Sequence, residues 1–225
     1  MNLKCPICFT QYSQIVSHIT DTGQNRDVLI CPNCEHGWVE NPVSHGELEQ
    51  TYGDLDRYPA TPPSKNLRLQ ILGKTLEYLC PAQRKILGAG CGNGDFLFNL
   101  SEGWERFDIE FGRDRAQMSA KHARADVRTN FVENVDFPSN YFDCITMFAL
   151  IEHLVEPSQV LSKIRDLLKP SRIILVITGV RTSKKALREK SDWHLYAPLE
   201  HLHFFSRESL EKVLNDTGFD VLKVD

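Results

Sequence analysis

The chain has 225 residues, 41% of them hydrophobic, which is enough to bury one core of ordinary domain size and a small appendage. Its net charge of -4 and pI near 6.1 argue against a nucleic-acid partner, and no apolar run approaches the ~18 residues of a membrane span. The seven cysteines, together with an N-terminal "MNLKCPICF" that lacks the apolar core of a signal peptide, predict a cytoplasmic protein that binds metal in preference to forming disulfides.

Residues 1–40 contain two cysteine pairs, Cys5-x2-Cys8 and Cys31-x2-Cys34, with 22 residues between the pairs. Two such pairs can provide four thiolates in tetrahedral coordination, and this spacing favours zinc over a redox function. Four protein ligands leave no open position on the metal, so we expect a structural zinc that stabilises a module too small to fold on its core alone. The nearby His36 is an alternative metal ligand and His18 lies in the loop between the pairs, but we expect both to lie at the surface.

The composition changes after this zinc-ribbon module. Residues 41–63 are rich in turn formers and end at Pro62-Pro63, which predicts a linker. Residues 64–225 form the main domain. Its first predicted helix carries leucines at helical spacing, namely Leu69, Leu72, Leu76 and Leu79.

The segments after this helix alternate between strand-like and helix-like patterns. The predicted strands are Lys85–Leu87, Arg106–Phe111, Val127–Phe131, Asp143–Phe148, Ile173–Thr178 and Phe219–Val224. The predicted helices are Asp95–Leu100, Asp114–Arg124, Pro157–Leu168 and Ser206–Asp216. This alternation predicts the α/β class, with a Rossmann-like, doubly wound and mostly parallel sheet covered by helices on both faces.

The stretch "KILGAGCGNGDFL", residues 85–97, places three glycines between the first of these strands and a helix. Gly90, Gly92 and Gly94 permit positive φ and remove the Cβ atoms that would keep a ligand off the backbone. Glu110 follows twenty residues after Gly90, near the end of the second strand, where a carboxylate can accept hydrogen bonds from ribose hydroxyls. The loop alone is also compatible with a tight turn that binds nothing, but an acid at this distance favours a nucleotide-type cofactor.

From about Gly88 onward the chain resembles the class I S-adenosylmethionine-dependent methyltransferases. The resemblance rests on "GAGCGNG", on "FPSNYFDCITMFALIEHLVEP" at the fourth strand, on "LLKPSRIILVIT" at the fifth, and on "PLEHLHFFSRESLEKVLNDTGF". The last stretch is similar to sugar C-methyltransferases, a subgroup that often carries an N-terminal cysteine ribbon. The resemblance implies S-adenosylmethionine as cofactor, with its adenine edge near Phe131–Glu133. The contact residues it implies are Gly88, Ala89, Gly90, Cys91, Gly92, Gly94, Glu110, Val132, Phe148 and Ala149.

Three features depart from the family pattern. The family has Asp or Glu where this chain has Gly88, and that acid helps to organise the amino group of the cofactor's methionine. Its loss removes a charge-assisted contact worth about 1.5–3 kcal/mol, or roughly ten- to a hundredfold in affinity. "KPSR" also replaces "KPGG" before the fifth strand. The family's seventh strand would follow Val224, so we expect either a sheet without that strand or a native chain that continues past Asp225.

Methyl transfer requires an acceptor in line with the methyl–sulfur bond and, for hydroxyls or activated carbons, a group that removes a proton. The resemblance to sugar C-methyltransferases implies that Glu200 and His201, in "PLEHLHFF", serve this deprotonation. His153, after the fourth strand in "IEHL", is a third candidate because histidine is a base near neutral pH. Each histidine also has a structural interpretation, His201 as a turn residue and His153 in ordering a helix start. The basic stretch "RTSKKALREK" is either a lid for a phosphate group or a solvated helix face.

These features predict an S-adenosylmethionine-dependent methyltransferase for a small-molecule acceptor, with a sugar or nucleotide-linked sugar favoured and another metabolite hydroxyl next. An RNA methyltransferase is the first alternative, since some ribosomal RNA methyltransferases also begin with a cysteine-rich zinc module. The acidic pI and the lack of a broad basic stripe argue against it. A non-catalytic binding protein that kept the fold is the second alternative, and Gly88 motivates it. The sequence does not distinguish C, O or N as the methylated atom, and it leaves the oligomeric state open.

Overall fold

The computed structural model describes residues 3–12, 28–40, 42, 46–47, 59–81, 84–198 and 200–222. The chain divides into two compact units. The first, which we call the cysteine unit, comprises Met1–Leu48, Ile151–Ser162 and Thr178–Asp225. The second, which we call the sheet unit, comprises Glu49–Leu150 and Lys163–Ile177. Each unit therefore combines segments that are distant in the chain.

The secondary structure of the described residues alternates as expected in the second half of the chain. The strands are β1 (Leu3–Lys4), β2 (Gln11–Tyr12), β3 (Val28–Ile30), β4 (Gly37–Val39), β5 (Arg84–Ala89), β6 (Trp104–Ile109), β7 (Asp126–Arg128), β8 (Phe142–Phe148), β9 (Leu168–Ile177) and β10 (His203–Phe204). The main α-helices are α1 (Leu67–Leu79), α2 (Asp95–Phe98), α3 (Arg113–Met118), α4 (Pro157–Leu167), α5 (Lys184–Glu189) and α6 (Arg207–Asp216).

The sheet unit contains a five-stranded parallel sheet with the order β7-β6-β5-β8-β9. Along the chain the strands first add outward from β5 to β7, and the chain then returns to place β8 on the other side of β5. This confirms the predicted Rossmann-like fold. In sheets of this type ligands bind outside the carboxyl ends of the strands, at the point where the strand order reverses. The glycine loop follows β5 at that point.

The central strands β5 and β8 form the middle of the sheet unit's core. Ile86 and Leu87 are neighbours on β5, so their side chains point to opposite faces, and both are fully buried. Residues 142–147 of β8 are buried without interruption, as expected for a strand that is covered on both faces. Helix α1 begins at Asn66, whose side chain accepts hydrogen bonds from two amides of the first turn, and it packs Leu76 into this core.

The predicted strand Val127–Phe131 is observed as Asp126–Arg128, and three further elements differ from the prediction. Strand β9 begins at Leu168 and contains a register shift against β8, with Ser171 at a φ of +58°. Helix α3 continues as a π-helical turn that ends at Arg124, whose φ is +54°. The predicted strand Phe219–Val224 is not formed by residues 219–222, and residues 223–225 lie outside the described part of the chain.

In the cysteine unit β3, β4 and β10 form an antiparallel sheet with β4 in the centre. The N-terminal strand β4 therefore pairs with a strand formed more than 160 residues later in the chain. One apolar cluster covers this sheet and consists of Val28, Val39, Ala186, Trp193 and Phe204. The N-terminal cysteine segment thus shares its core with the C-terminal part of the unit, and the boundaries at 40 and 63 remain predictions.

Ser206 links the last helix to the cysteine segment. Its side chain accepts a hydrogen bond from the Ser209 amide and donates one to the Cys34 carbonyl, at 2.9 and 2.7 Å. Ser206 is therefore the N-cap of helix α6, and Ser209 completes a capping box. Of the predicted linker, the structure describes residues 42, 46–47 and 59–63. In the described part of the chain no helix has the length and apolar character needed to cross a membrane.

Candidate cofactor and catalytic site

The glycine loop has the backbone conformation that the sequence predicts. Gly90, Gly92 and Gly94 have φ values of +67°, +60° and +80°. A Cβ at Gly94 would lie 2.9 Å from Ser119 Cα, whereas a Cβ at Gly92 would meet nothing within 4 Å. The loop is therefore packed on one side and open on the other, which is the form expected of a backbone that a ligand approaches closely.

Glu110 connects this loop to the end of β6. Its Oε2 accepts a hydrogen bond from the Gly92 amide at 2.9 Å, and its Oε1 accepts one from the Gly112 amide at 2.8 Å. The Arg115 guanidinium lies 2.7 Å from Oε1 and balances the charge of this buried carboxylate. A carboxylate oxygen can accept two hydrogen bonds, so Oε2 keeps the capacity for a ribose hydroxyl.

Two aromatic rings lie beyond the acid. Phe111 and Phe131 stack with a centroid separation of 4.4 Å and an interplanar angle of 14°. Val132, a predicted cofactor contact, follows Phe131 in the sequence and is buried. Its side chain therefore belongs to the core, and only its backbone is available to a ligand. Sequence reasoning missed Phe111, although its place directly after Glu110 was a usable signal.

The other predicted cofactor residues lie at the ends of β5 and β8. Phe148 packs against Phe96 with a centroid separation of 5.0 Å, and Ala149 is exposed with a φ of +46°. The amide of Ala149 donates to the Ile177 carbonyl at 2.8 Å, which ties the end of β8 to β9. Ala89 is buried within β5.

Gly88 and Asp108 are register partners on the parallel strands β5 and β6. A Cβ at Gly88 would lie 2.9 Å from the Cβ of Cys91, so the Cys91 side chain already fills this space. Asp108 is fully buried, and neither of its carboxylate oxygens has a hydrogen-bond partner among the described residues. Burial raises the pKa of Asp108 to about 7, although the nearby Cys91 thiol and Ser119 hydroxyl oppose this shift.

In the cysteine unit the four predicted zinc ligands converge. The Sγ atoms of Cys5 and Cys34 are 3.7 Å apart, and those of Cys8 and Cys31 are 3.4 Å apart. Zinc with four Zn–S bonds of ~2.3 Å has sulfur atoms about 3.8 Å apart, so the cluster fits one tetrahedral ion. All four thiols are free of disulfides. His36 is not at the surface as expected; it is fully buried, and its Nε2 lies 3.0 Å from the Nδ1 of His203. His18 lies outside the described residues.

The same unit brings His153 and His201 together. Their rings form a T-shaped pair with centroids 4.7 Å apart. The Nδ1 of His201 lies 2.7 Å from the Leu195 carbonyl, and the Nδ1 of His153 lies 2.9 Å from the Glu200 carbonyl. A carbonyl oxygen only accepts hydrogen bonds, so both Nδ1 atoms carry the proton and both Nε2 atoms present a lone pair.

Glu152 completes this histidine cluster and was missed by sequence reasoning. One carboxylate oxygen of Glu152, one ring nitrogen of His153 and one ring nitrogen of His201 all lie within 4.8 Å of one another. The Thr178 hydroxyl donates to Glu152 Oε2 at 2.8 Å, and burial raises the pKa of this carboxyl. Glu200 takes part through its backbone carbonyl, and its side chain is buried. The signal for Glu152 was its position directly before His153.

A small cleft of about 170 Å³, including its solvent-open part, lies in the cysteine unit and is lined by Glu152, His201 and Trp193 among others. Trp193 is 4% exposed and belongs to the apolar cluster of the unit, so it is a core residue. The basic stretch forms helix α5, in which Lys184, Lys185 and Arg188 are exposed.

A family model described as a methyltransferase domain matches residues 64–224. The chain belongs to this family. The match begins at the predicted start of the main domain and includes the glycine loop, Glu110 and the histidine cluster. The curated relatives include the ubiquinone biosynthesis O-methyltransferase of Pectobacterium atrosepticum, which is 26% identical over 108 residues. That alignment covers 45% of this chain and 45% of the relative, so the chain spans less than half the length of the relative it matches.

Solved structures share the fold at low identity. The [4+2]-cyclase SpnF has a TM-score of 0.65 and 18% identity, covering 81% of this chain and 75% of its own. The 1,6-didemethyltoxoflavin-N1-methyltransferase of Burkholderia thailandensis, solved with S-adenosylhomocysteine, has a TM-score of 0.61 and 13% identity. The match covers 93% of this chain and 91% of that protein. At such identities the likeness shows the fold alone.

The raised pKa of Asp108 leads to a prediction about stability. A carboxyl whose pKa is higher in the folded state favours folding while it is protonated, and this contribution is lost as the pH rises towards the folded value of about 7. Relative to Asp108→Asn, the wild type should therefore lose up to about 4 kcal/mol of unfolding free energy between roughly pH 4 and pH 8.

Urea denaturation at pH 5 and pH 8 measures the part of this difference that falls above pH 5, which is about 3 kcal/mol. Asp166→Asn is the control, because that side chain is 63% exposed, and it should follow the wild type at both pH values. Parallel pH profiles for the wild type and Asp108→Asn would contradict the assignment of a buried, high-pKa carboxyl.

Proposed function

We propose that the protein transfers a methyl group from S-adenosylmethionine to a small-molecule acceptor. The observation that carries the proposal is the pairing of a bare, positive-φ glycine loop with the Glu110 carboxylate, which accepts a hydrogen bond from the loop at Gly92. Family membership supports it, because residues 64–224 match a methyltransferase domain. When bound, S-adenosylmethionine supplies an electrophilic methyl group.

The residues of the sheet unit fit such a cofactor part by part. The open backbone at Gly92 suits the amino acid and ribose portion, since no Cβ would lie between the ligand and the amides. The free acceptor capacity of Glu110 suits the ribose hydroxyls. The Phe111–Phe131 pair provides an aromatic surface for adenine, and base–aromatic stacking is worth about 1–3 kcal/mol per base.

His201 is the proposed base. The Leu195 carbonyl holds its proton on Nδ1, so Nε2 is left as the proton acceptor. Burial and the neighbouring His201 lower the pKa of His153 to about 3, so His153 stays neutral at neutral pH and is not assigned as the base. Glu152 lies close enough to both rings to stabilise a protonated His201. We assign His153 and Glu200 to positioning, because the Glu200 carbonyl fixes the His153 ring.

For the acceptor we propose a sugar or nucleotide-linked sugar. Exposed Lys184, Lys185 and Arg188 on α5 supply cationic groups for a phosphate in the same unit as His201. A metabolite hydroxyl is the second candidate, and the relatives named as ubiquinone biosynthesis O-methyltransferases favour it. Both acceptors require loss of a proton, which is the task assigned to His201.

The four-cysteine cluster is proposed to hold a structural zinc ion. Cys5, Cys8, Cys31 and Cys34 supply a closed set of thiolates, and a hydrogen bond from Cys34 lowers the pKa of Cys5 to about 5. Cys5 and Cys8 lie on the turn between β1 and β2, and Cys31 and Cys34 on the turn between β3 and β4, so the ion would link the N-terminal hairpin to the sheet of the cysteine unit.

Replacing Glu110 tests the cofactor site. Glu110→Gln keeps the shape of the side chain but replaces one acceptor oxygen with a donor, so S-adenosylhomocysteine affinity should fall by roughly tenfold or more. Isothermal titration calorimetry measures this. Glu105→Gln, at the exposed start of the same strand, is the control and should bind as the wild type does. Equal affinity of Glu110→Gln and wild type would remove Glu110 from the site.

Replacing His201 tests the base. His201→Asn keeps a donor for the Leu195 carbonyl but removes Nε2, so turnover with the best sugar or other hydroxyl acceptor should fall roughly a hundredfold or more. Cofactor affinity should stay within about twofold, since the binding residues are unchanged. His194→Asn, an exposed neighbour, is the matched control. Unimpaired turnover of His201→Asn would exclude His201 as the base.

Metal analysis tests the zinc proposal. The purified protein should contain one zinc ion per chain by mass spectrometry of the metal, and Cys31→Ser should lose it because one of four ligands is gone. Cys80→Ser is the matched control, since Cys80 is buried in the sheet unit and should leave the zinc content unchanged. Folded wild type with a zinc content well below one per chain would refute the proposal.

A further inference from the structure

Asp108 is a buried acid, and among the described residues that act on its carboxyl there is no cationic side chain. Its side chain is 0% exposed, and its carboxylate oxygens lie near the neutral Cys91 thiol and Ser119 hydroxyl without a well-formed hydrogen bond to any described residue. Buried polar groups are paired in the great majority of proteins, and a buried, unpaired carboxylate is costly. An acid kept in such a place indicates a partner that arrives with a ligand.

The groups that face Asp108 come from three elements. Cys91 belongs to the glycine loop, Ser119 to the π-helical turn after α3, and Glu110 to the same face of β6. Cys91 and Ser119 are neutral, with Sγ and Oγ 3.7 Å apart, and burial raises the pKa of the Cys91 thiol. Glu110 is a second acid, and its own cation, Arg115, is held on Glu110 Oε1. The surroundings of Asp108 therefore favour a cationic ligand group.

The position of Asp108 also accounts for Gly88. The two residues are register partners on adjacent parallel strands, so their side-chain positions lie on the same face of the sheet. An acid at position 88 would overlap Cys91, whose Cβ and Sγ lie 2.9 and 3.3 Å from the place of the missing Cβ. An acidic side chain at position 88 of β5 would displace Cys91. The neighbouring strand β6 carries an acid, Asp108, at the same level.

We propose that Asp108 supplies the counter-charge for the ammonium group of the cofactor's methionine, in place of an acid at position 88. This inference rests on the proposed function, because it requires an S-adenosyl ligand at the glycine loop. The ammonium neutralises the buried carboxylate, and the carboxylate in turn orients the amino acid end of the ligand along residues 90–94. Asp108 is therefore a binding residue for that end and has no role at the ribose or the adenine.

A purely structural role for Asp108, as a support for the loop, makes a different prediction. A disturbed loop would weaken every ligand that lies on it. A lost counter-charge weakens only ligands that carry the ammonium group. Two compounds separate these cases: S-adenosylhomocysteine carries the amino acid, and 5′-methylthioadenosine has the same adenosine and sulfur without it.

Calorimetric titration of both compounds at pH 8 into wild type, Asp108→Asn and Glu110→Gln is the test. We expect Asp108→Asn to bind S-adenosylhomocysteine about ten- to a hundredfold more weakly and 5′-methylthioadenosine within about twofold of wild type. Glu110→Gln is the matched control and should weaken both, since both ligands contain the ribose. Urea denaturation of each variant shows that it is folded.

Each other outcome overturns the inference in a distinguishable way. If Asp108→Asn binds both compounds as wild type does, or weakens both equally, Asp108 is not the counter-charge although the cofactor site stands. If folded wild type binds neither compound, the proposed function fails as well. If Asp108→Asn does not fold, titration of wild type in two buffers at pH 6.5 decides. Binding of S-adenosylhomocysteine should then release up to about one proton while 5′-methylthioadenosine releases none, and equal release would refute the inference.

Discussion

The Glu110 carboxylate is the interaction on which the glycine-loop site depends. It accepts hydrogen bonds from Gly92 in the loop, from Gly112 after β6 and from Arg115 in α3. One buried group therefore holds the glycine loop and the start of α3 in a fixed relation to the end of β6. This is possible because β5 and β6 pair in parallel register up to Ala89 and Ile109, so both strands end at the same level. The binding groups are thus arranged before any ligand arrives, which reduces the cost of binding.

Packing beneath the glycine loop explains why position 88 carries no acid while Asp108, on the neighbouring strand, is one. Ser119 lies close enough to Gly94 to exclude any side chain there, and Cys91 does the same at Gly88. The space under the loop is filled by these two small side chains, which make no charge of their own available. On the neighbouring strand, Asp108 places an acid at the same level as Gly88. Ser119 and Cys91 therefore close one side of the glycine loop, and the side at Gly92 stays open.

The parts of the structure that the sequence predicted are those governed by local patterns. Local sequence patterns predict the buried strands β5 and β8, the glycine loop and its spacing to Glu110, because each pattern depends on residues close together in the chain. Contacts between distant segments have no such pattern. The pairing of β4 with β10 explains why His36 is buried, yet no periodicity in either segment indicates it. The convergence of Glu152 with His201 is equally a matter of tertiary structure, because 49 residues separate them in the chain.

The fold by itself does not determine the chemistry, since a cyclase shares it with methyltransferases. What distinguishes one chemistry from another is the state of particular side chains. Backbone carbonyls fix the tautomer of both His153 and His201, so their Nε2 lone pairs are set by the fold and do not depend on a neighbouring acid. Burial lowers the pKa of His153 to about 3, so this ring does not accept a proton at neutral pH. His201 is the proposed proton acceptor, and a Glu152 carboxylate oxygen within 4.8 Å would stabilise its protonated ring.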